Sequence, residues 1–172
     1  MISGYYGFAN AGDEAMLTAI IESLRQVEKN VELTVLSGNP EDTAAKHQVC
    51  SVYRFNPLGI IRAMKDSELI ISGGGSLLQD VTSKRSLLYY LSIIGLGKFF
   101  GKKVMLFAQG IGPIRAKWAR KLTSLVCNEA DLITVRDSES AAELIEMGVK
   151  PEKITVTADS VLSLNPVTKE CG

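Results

Sequence analysis

Apolar residues recur along this chain in two rhythms. Between residues 13 and 29, Leu17, Ile20, Ile21, Leu24 and Val27 fall three or four apart, the spacing of one helix face. Short apolar runs follow and alternate with further helical patterns. Residues 31–36, 69–72, 103–108, 132–135 and 154–157 read as strands, 48–52 as a weaker one, and 1–3 as a strand stub, as though the chain starts late. Residues 57–65, 83–100, 115–129 and 138–147 read as helices. Pro57 suits a first helical turn, and Gly148 supplies a stop. Strands alternating with helices of this length predict an α/β fold, a Rossmann-like parallel sheet with right-handed crossovers and helices on both faces. The expected domain spans residues 1–164, and residues 165–172 form a polar tail or the start of a linker.

The helix pattern at 87–100 is apolar on nearly every side. Such helices belong in a core; a face for a further domain or a membrane surface is the alternative. At fourteen residues, with Gly95 and Gly97 inside, the stretch is too short to cross a bilayer. The polar stretch 42–48 reads as a loop, with His47 on the surface and inert.

Ligands of open parallel sheets bind outside the carboxyl ends of the strands, and four loops at that edge carry unusual residues. The first, GYYGFANAGDE, combines glycines with Tyr5, Tyr6 and Phe8; Gly7, Asn10 and Asp13 complete its candidate residues. It is either a flexible turn whose aromatics cover the sheet edge or a sugar platform of rings with polar tips. Asp13 and Glu14 suit the positive end of the helix that follows. The second loop holds Gly73, Gly74, Gly75 and Ser76. It is neither a P-loop nor a full dinucleotide fingerprint. It is a tight turn or a bare-backbone cradle whose N–H groups approach an anion. The third, Gln109-Gly110-Ile111-Gly112-Pro113, again exposes backbone, with Pro113 expected to open the next helix. In the fourth, Arg136 ends a strand. It either pairs locally with Asp137 or Glu139, or offers a planar fork to a carboxylate or phosphate.

Composition narrows the field. The chain has 172 residues, 46% of them hydrophobic and 22% charged, in the range of a globular domain. A net charge of zero gives no electrostatic case for nucleic acid. Three scattered cysteines and one histidine offer no metal-ligand spacing, so no metal is expected, and the cysteines suit a reducing compartment. No basic, apolar leader opens the sequence.

Five segments taken in order carry a resemblance: SGYYGFANAGDEA (3–15), SGGGSLLQDVTSKRS (72–86), QGIGPI (109–114), ITVRDSES (133–140) and TADS (157–160). Together they resemble the polysaccharide pyruvyl transferase family, in particular the bacterial members that pyruvylate secondary cell-wall polysaccharide for S-layer anchoring. Ser160 departs from the Pro expected after the Thr-Ala-Asp triplet. The resemblance implies the N-terminal half of a glycosyltransferase-B-like fold, with the active site in a cleft between two domains. It implies that phosphoenolpyruvate gives a pyruvyl group to two hydroxyls of a sugar, N-acetylmannosamine, on a lipid-linked cell-wall glycan, as a ketal. No cofactor is implied, and the compartment is the cytoplasm, at the inner face of the membrane. Arg136 matches the family's active-site arginine, while the family's general acid is a histidine of the second domain, so this half alone is expected to be inactive and to self-associate. Half of a nucleotide-sugar glycosyltransferase and a non-catalytic anion-binding module are the alternatives.

Overall fold

The computed structural model describes residues 1–81 and 83–157. Seven parallel strands form one sheet: β1 (Ile2–Tyr6), β2 (Thr34–Ser37), β3 (Cys50–Tyr53), β4 (Leu69–Gly73), β5 (Lys103–Gln109), β6 (Leu132–Val135) and β7 (Ile154–Val156). Between them run α1 (Ala11–Val27), α2 (Pro40–His47), α3 (Pro57–Asp66), α4 (Lys84–Phe99), α5 (Lys117–Glu129) and α6 (Ser138–Glu146). The spatial order is β3-β2-β1-β4-β5-β6-β7. The chain therefore winds outward from β1 to β3, returns through α3, and winds the other way from β4.

Successive strand residues point to opposite faces, and this divides the core. Ile2, Val35 and Ile71 pack with Leu17, Ile20 and Ile21 of α1. Their neighbours Leu36 and Ile70, with Val104, Leu106, Ile133 and Val135, pack on the other side with residues of α3, α4, α5 and α6. The sheet is thus covered on both faces, as the alternating pattern predicts. Helix α4 buries Leu87, Tyr90, Leu91, Ile93, Ile94 and Gly97 in the core, while Leu88, Leu96 and Phe99 of the same helix are exposed.

Three expectations are corrected. The first strand is no stub: Met1 lies at its head and it runs to Tyr6, with Ile2 paired to Val35 on one side and Ile71 on the other. The polar stretch 42–48 is not a loop but most of α2. Asn39 caps it, Pro40 opens it, and Lys46 pairs with Asp42 at 2.9 Å. Only Thr43 is buried there, so no apolar rhythm marks it. Pro113 does not open α5, because the Asp80 carboxylate accepts the N–H groups of Arg115 (3.0 Å) and Ala116 (2.9 Å) and holds the chain extended until Lys117. The TADS segment beyond Thr157, its Ser160 and the expected tail lie outside the described residues.

Candidate functional site

Winding reverses between β1 and β4, so the loops leaving these two neighbouring strands diverge and open a crevice. A cavity of about 390 Å³ sits there, lined by Tyr5 and Asp13 from the first loop, Ser76, Leu77 and Gln79 after β4, and Ser83, Ser86 and Tyr90 at the start of α4. The second and third glycine loops meet at the same edge: Gly110 donates its N–H to the Gly75 carbonyl at 3.1 Å, and Leu78 bridges Ile111 in parallel.

The triple glycine answers mainly to packing. A Cβ on Gly73 would stand 2.6 Å from Ile20 of α1, and Gly74 and Gly75 take φ of +73° and +69°. Their N–H groups are turned inward: Gly74 donates to the Phe107 carbonyl (3.3 Å) and Gly75 to the Met16 sulfur (2.9 Å). Gly112 donates to the Leu78 carbonyl. These donors are spent within the fold rather than presented to an anion. Nor does a helix end stand directly behind them, since α4 begins only at Lys84.

In the first loop the candidates separate. Tyr5 and Phe8 stack at 4.4 Å, both about 40% exposed, and Tyr5 reaches the cavity. Tyr6 is buried, with its hydroxyl on the Gly73 carbonyl at 2.8 Å, and so ties the first loop's strand to the second loop. Asn10 is the cap of α1, accepting the N–H groups of Gly12 (3.0 Å) and Asp13 (3.4 Å). Gly7, at φ +78°, donates to Glu14 Oε1 at 2.8 Å, so Glu14 clamps the loop from the helix it precedes. Asp13 faces the cavity. Burial, and then the charge of Glu14, push its carboxyl above the usual carboxylate range.

Arg136 stands beside the cavity. Its Nη2 donates to Ser76 Oγ at 3.2 Å and its Nε pairs with Asp137 Oδ2 at 3.3 Å, while the side chain keeps about a third of its surface exposed. Asp137 also caps α6 by accepting the Ser140 N–H. The Ser140 hydrogen bonds, and then Arg136, hold the Asp137 carboxyl below its ordinary value. Gly110 makes room for the guanidinium, since a Cβ there would lie 2.6 Å from Arg136 Cζ. Gln109 is fully buried and donates to the Ser72 carbonyl at 3.2 Å. Of the two alternatives at Arg136, the local pairing with Asp137 is present.

His47, expected on the surface and inert, is corrected: its side chain is only 10% exposed and its Nε2 lies 3.4 Å from Glu14 Oε2, at the end of α2, behind the first loop and away from the cavity lining. One residue escaped the sequence reading. Arg54 follows β3 at the same sheet edge and is only 4% exposed, surrounded by aromatic rings. Its signal was a cation after a strand, flanked by Tyr53 and Phe55. Among the described residues no group of three or more His, Cys, Asp or Glu could hold a metal ion. No described helix is long and apolar enough to cross a membrane.

No curated protein matches the chain. Among solved structures it is similar to HepE of Anabaena in complex with UDP-glucose, with TM-score 0.64 and 13% identity over 92% of this chain and 43% of that one. It is also similar to S. aureus MnaA solved with UDP, with TM-score 0.52 and 17% identity over 92% of this chain and 44% of that one. At such identities the likeness is one of fold, that of glycosyltransferase-B-like enzymes. The chain spans less than half the length of these solved proteins. A model of the family described as polysaccharide pyruvyl transferase matches residues 10–170, nearly the whole sequence, and the chain belongs to the polysaccharide pyruvyl transferase family.

Proposed function

We propose that this chain carries the Arg136 side of a site that moves a pyruvyl group from phosphoenolpyruvate onto two hydroxyls of a cell-wall sugar, N-acetylmannosamine, as a ketal. The observation that carries the reading is the pairing of Arg136, through Ser76, with a cavity that also holds the Asp13 carboxylate and the Tyr5 ring. The chemistry needs all three. Protonating the enol methylene of the donor leaves a cationic carbon; one sugar hydroxyl adds there, phosphate leaves, and the second hydroxyl closes the ketal. The guanidinium fork suits the donor carboxylate or phosphate. The Tyr5 face suits a pyranose ring. A carboxylate whose proton affinity is raised by burial suits removal of the hydroxyl protons. As the family resemblance implies, the proton for the methylene comes from a histidine of a second domain; His47 lies against Glu14, away from the cavity lining. The acceptor is a lipid-linked glycan at the cytoplasmic face of the membrane, and the product serves S-layer anchoring.

Phosphate release by the full-length enzyme, with phosphoenolpyruvate and an N-acetylmannosamine glycoside, tests this. Arg136→Ala should lower turnover roughly 10²-fold or more, as for loss of one preorganised donor, while the melting temperature stays within the range of a surface substitution. Near-normal turnover in that variant would remove Arg136 from the site. The UDP complexes of the similar folds favour a second reading, a nucleotide-sugar glycosyltransferase half. Release of UDP from UDP-sugars, without phosphate release from phosphoenolpyruvate, would establish it instead.

A further inference from the structure

Arg54 has the surroundings of a buried cation without its usual counter-charge. Its Cζ lies 4.5 Å from the Tyr89 ring centroid, 5.2 Å from Phe55, 5.4 Å from Phe8, 5.5 Å from Tyr90 and 5.7 Å from Tyr5. Its two hydrogen bonds are long: Nη1 to the Gly4 carbonyl at 3.4 Å and Nη2 to the Tyr90 hydroxyl at 3.3 Å. Nε is buried with no acceptor, and no carboxylate of the described residues lies within 4 Å of the guanidinium. Buried arginines are ordinarily paired, because an uncompensated charge is costly away from water. Ring faces attract the cation but leave its charge intact. A side chain kept only to fill this space would be better apolar.

What the charge faces is the cavity. Tyr5 and Tyr90 are at once walls of the cavity and covers of Arg54. A group in contact with the cavity side of either ring stands at most about 9–10 Å from Cζ, one centroid distance and one contact distance away, across aromatic rings rather than bulk water. We propose that Arg54 is a binding residue acting through this aromatic wall, holding positive potential in the cavity for a phosphoryl group of the ligand. A phosphoryl group carries close to two negative charges near neutral pH, more than any carboxylate. The same potential offsets the Asp13 carboxylate, which would otherwise repel such a ligand. The inference rests on the reading of the cavity as a substrate site. It does not rest on pyruvyl transfer itself, and the phosphoryl group can belong to the donor or to a phosphorylated sugar acceptor.

The test is a binding measurement on the full-length protein and its Arg54→Met and Arg54→Lys variants, with phosphoenolpyruvate, N-acetylmannosamine 1-phosphate and unphosphorylated N-acetylmannosamine. Titration calorimetry gives the affinities, and melting without ligand gives stability. Arg54→Met should melt at or above the parent temperature, because an unpaired buried charge has been replaced by an apolar side chain of similar length. Its affinity for a phosphorylated ligand should fall about tenfold, with the neutral sugar unaffected, and Arg54→Lys should keep most of the parent affinity. A loss confined to phosphoenolpyruvate assigns the group to the donor; a loss confined to the sugar phosphate assigns it to the acceptor. Equal loss for all ligands, or a clearly lowered melting temperature with affinities intact, would overturn the proposal and leave Arg54 a structural cation. Arg54-dependent phosphoryl binding without any ketal product would instead sink the pyruvyl transfer reading and keep this one.

Discussion

At the scale of single residues, the site is held by side chains whose polar atoms are mostly spent on the backbone. Tyr6 is the plainest: burial and nearby carboxylates raise its hydroxyl pKa, and the hydroxyl's bond to the Gly73 carbonyl joins β1 to the start of the second loop. Tyr6→Phe should cost about 1–2 kcal/mol, because the carbonyl is left buried without a donor, and calorimetric melts should show a drop of several degrees. Asp13 gives a prediction of opposite sign. Its folded-state pKa is raised, so its contribution to stability is full below the unfolded value of about 3.9 and is lost as pH rises through the folded value. Asp13→Asn should therefore gain on the parent between pH 4 and pH 7 while losing turnover. Parallel melts at the two pH values check this, and a variant that falls further behind at pH 7 would refute it. Asp13 and Tyr5 were legible in the sequence as loop residues at a strand end, and both reach the cavity. Tyr6 looked equivalent to Tyr5, but alternation along β1 sends it to the α1 face. No sequence rhythm announces such a one-residue difference when both neighbours are tyrosine.

At the scale of elements, helices with an apolar stripe were readable and the one without was not. α1 shows its stripe; α2, with PEDTAAKH, shows only a cap, a proline and a polar pair. The central strands β4, β5 and β6 were legible because two-sided burial makes them continuous apolar runs, whereas ISGYY of β1 showed only a stub and the partly exposed β3 only a weak signal. Element joints depend on long-range polar ties instead, which spacing does not reveal. Asp131 is such a tie: its carboxylate accepts from Lys98 at the end of α4 (2.7 Å), Lys103 of β5 (3.2 Å) and the Val104 N–H (2.9 Å). Led by the Lys98 hydrogen bond, these contacts hold its pKa far below the ordinary carboxylate value. The stabilisation is full above the unfolded pKa of about 3.9 and is lost as pH falls below it. Asp131→Asn should cost ~0.5–1 kcal/mol at pH 7, since the site is partly solvated. The difference from the parent should shrink in melts at pH 3. A variant as stable as the parent at pH 7 would mean the cluster is only a surface arrangement.

For the whole molecule, the alternation of elements was enough to foresee one parallel sheet with the four loops at the carboxyl ends of its strands. The crevice itself required knowing that β4 returns to lie beside β1, a pairing of segments some seventy residues apart. That long-range architecture has a chemical readout. Cys127 is fully buried on α5, and burial pushes its thiol up to about 12, whereas Cys50 is exposed. In a Cys50→Ser, Cys171→Ser variant, Cys127 should resist a thiol reagent in native buffer and react in urea in step with the loss of circular dichroism. Rapid labelling in buffer would show that α5 opens independently of the sheet.

The cavity draws its lining from segments that leave different strands, and each is anchored on its own terms: Asn10 and Glu14 for the first loop, the Leu78–Ile111 bridge and Asp80 for the second, Ser83 as cap for the start of α4. None of these anchors is itself among the wall residues except Ser83. The wall itself is of two kinds: Leu77 and Tyr90 belong to the core, Tyr5 and Tyr90 cover Arg54 and Ser76 holds Arg136, so changing them disturbs more than the cavity. Gln79 and Ser86 are only partly buried and are not among the anchors, so the shape of the cavity can be recut at these two positions while the loops that carry it stay in place.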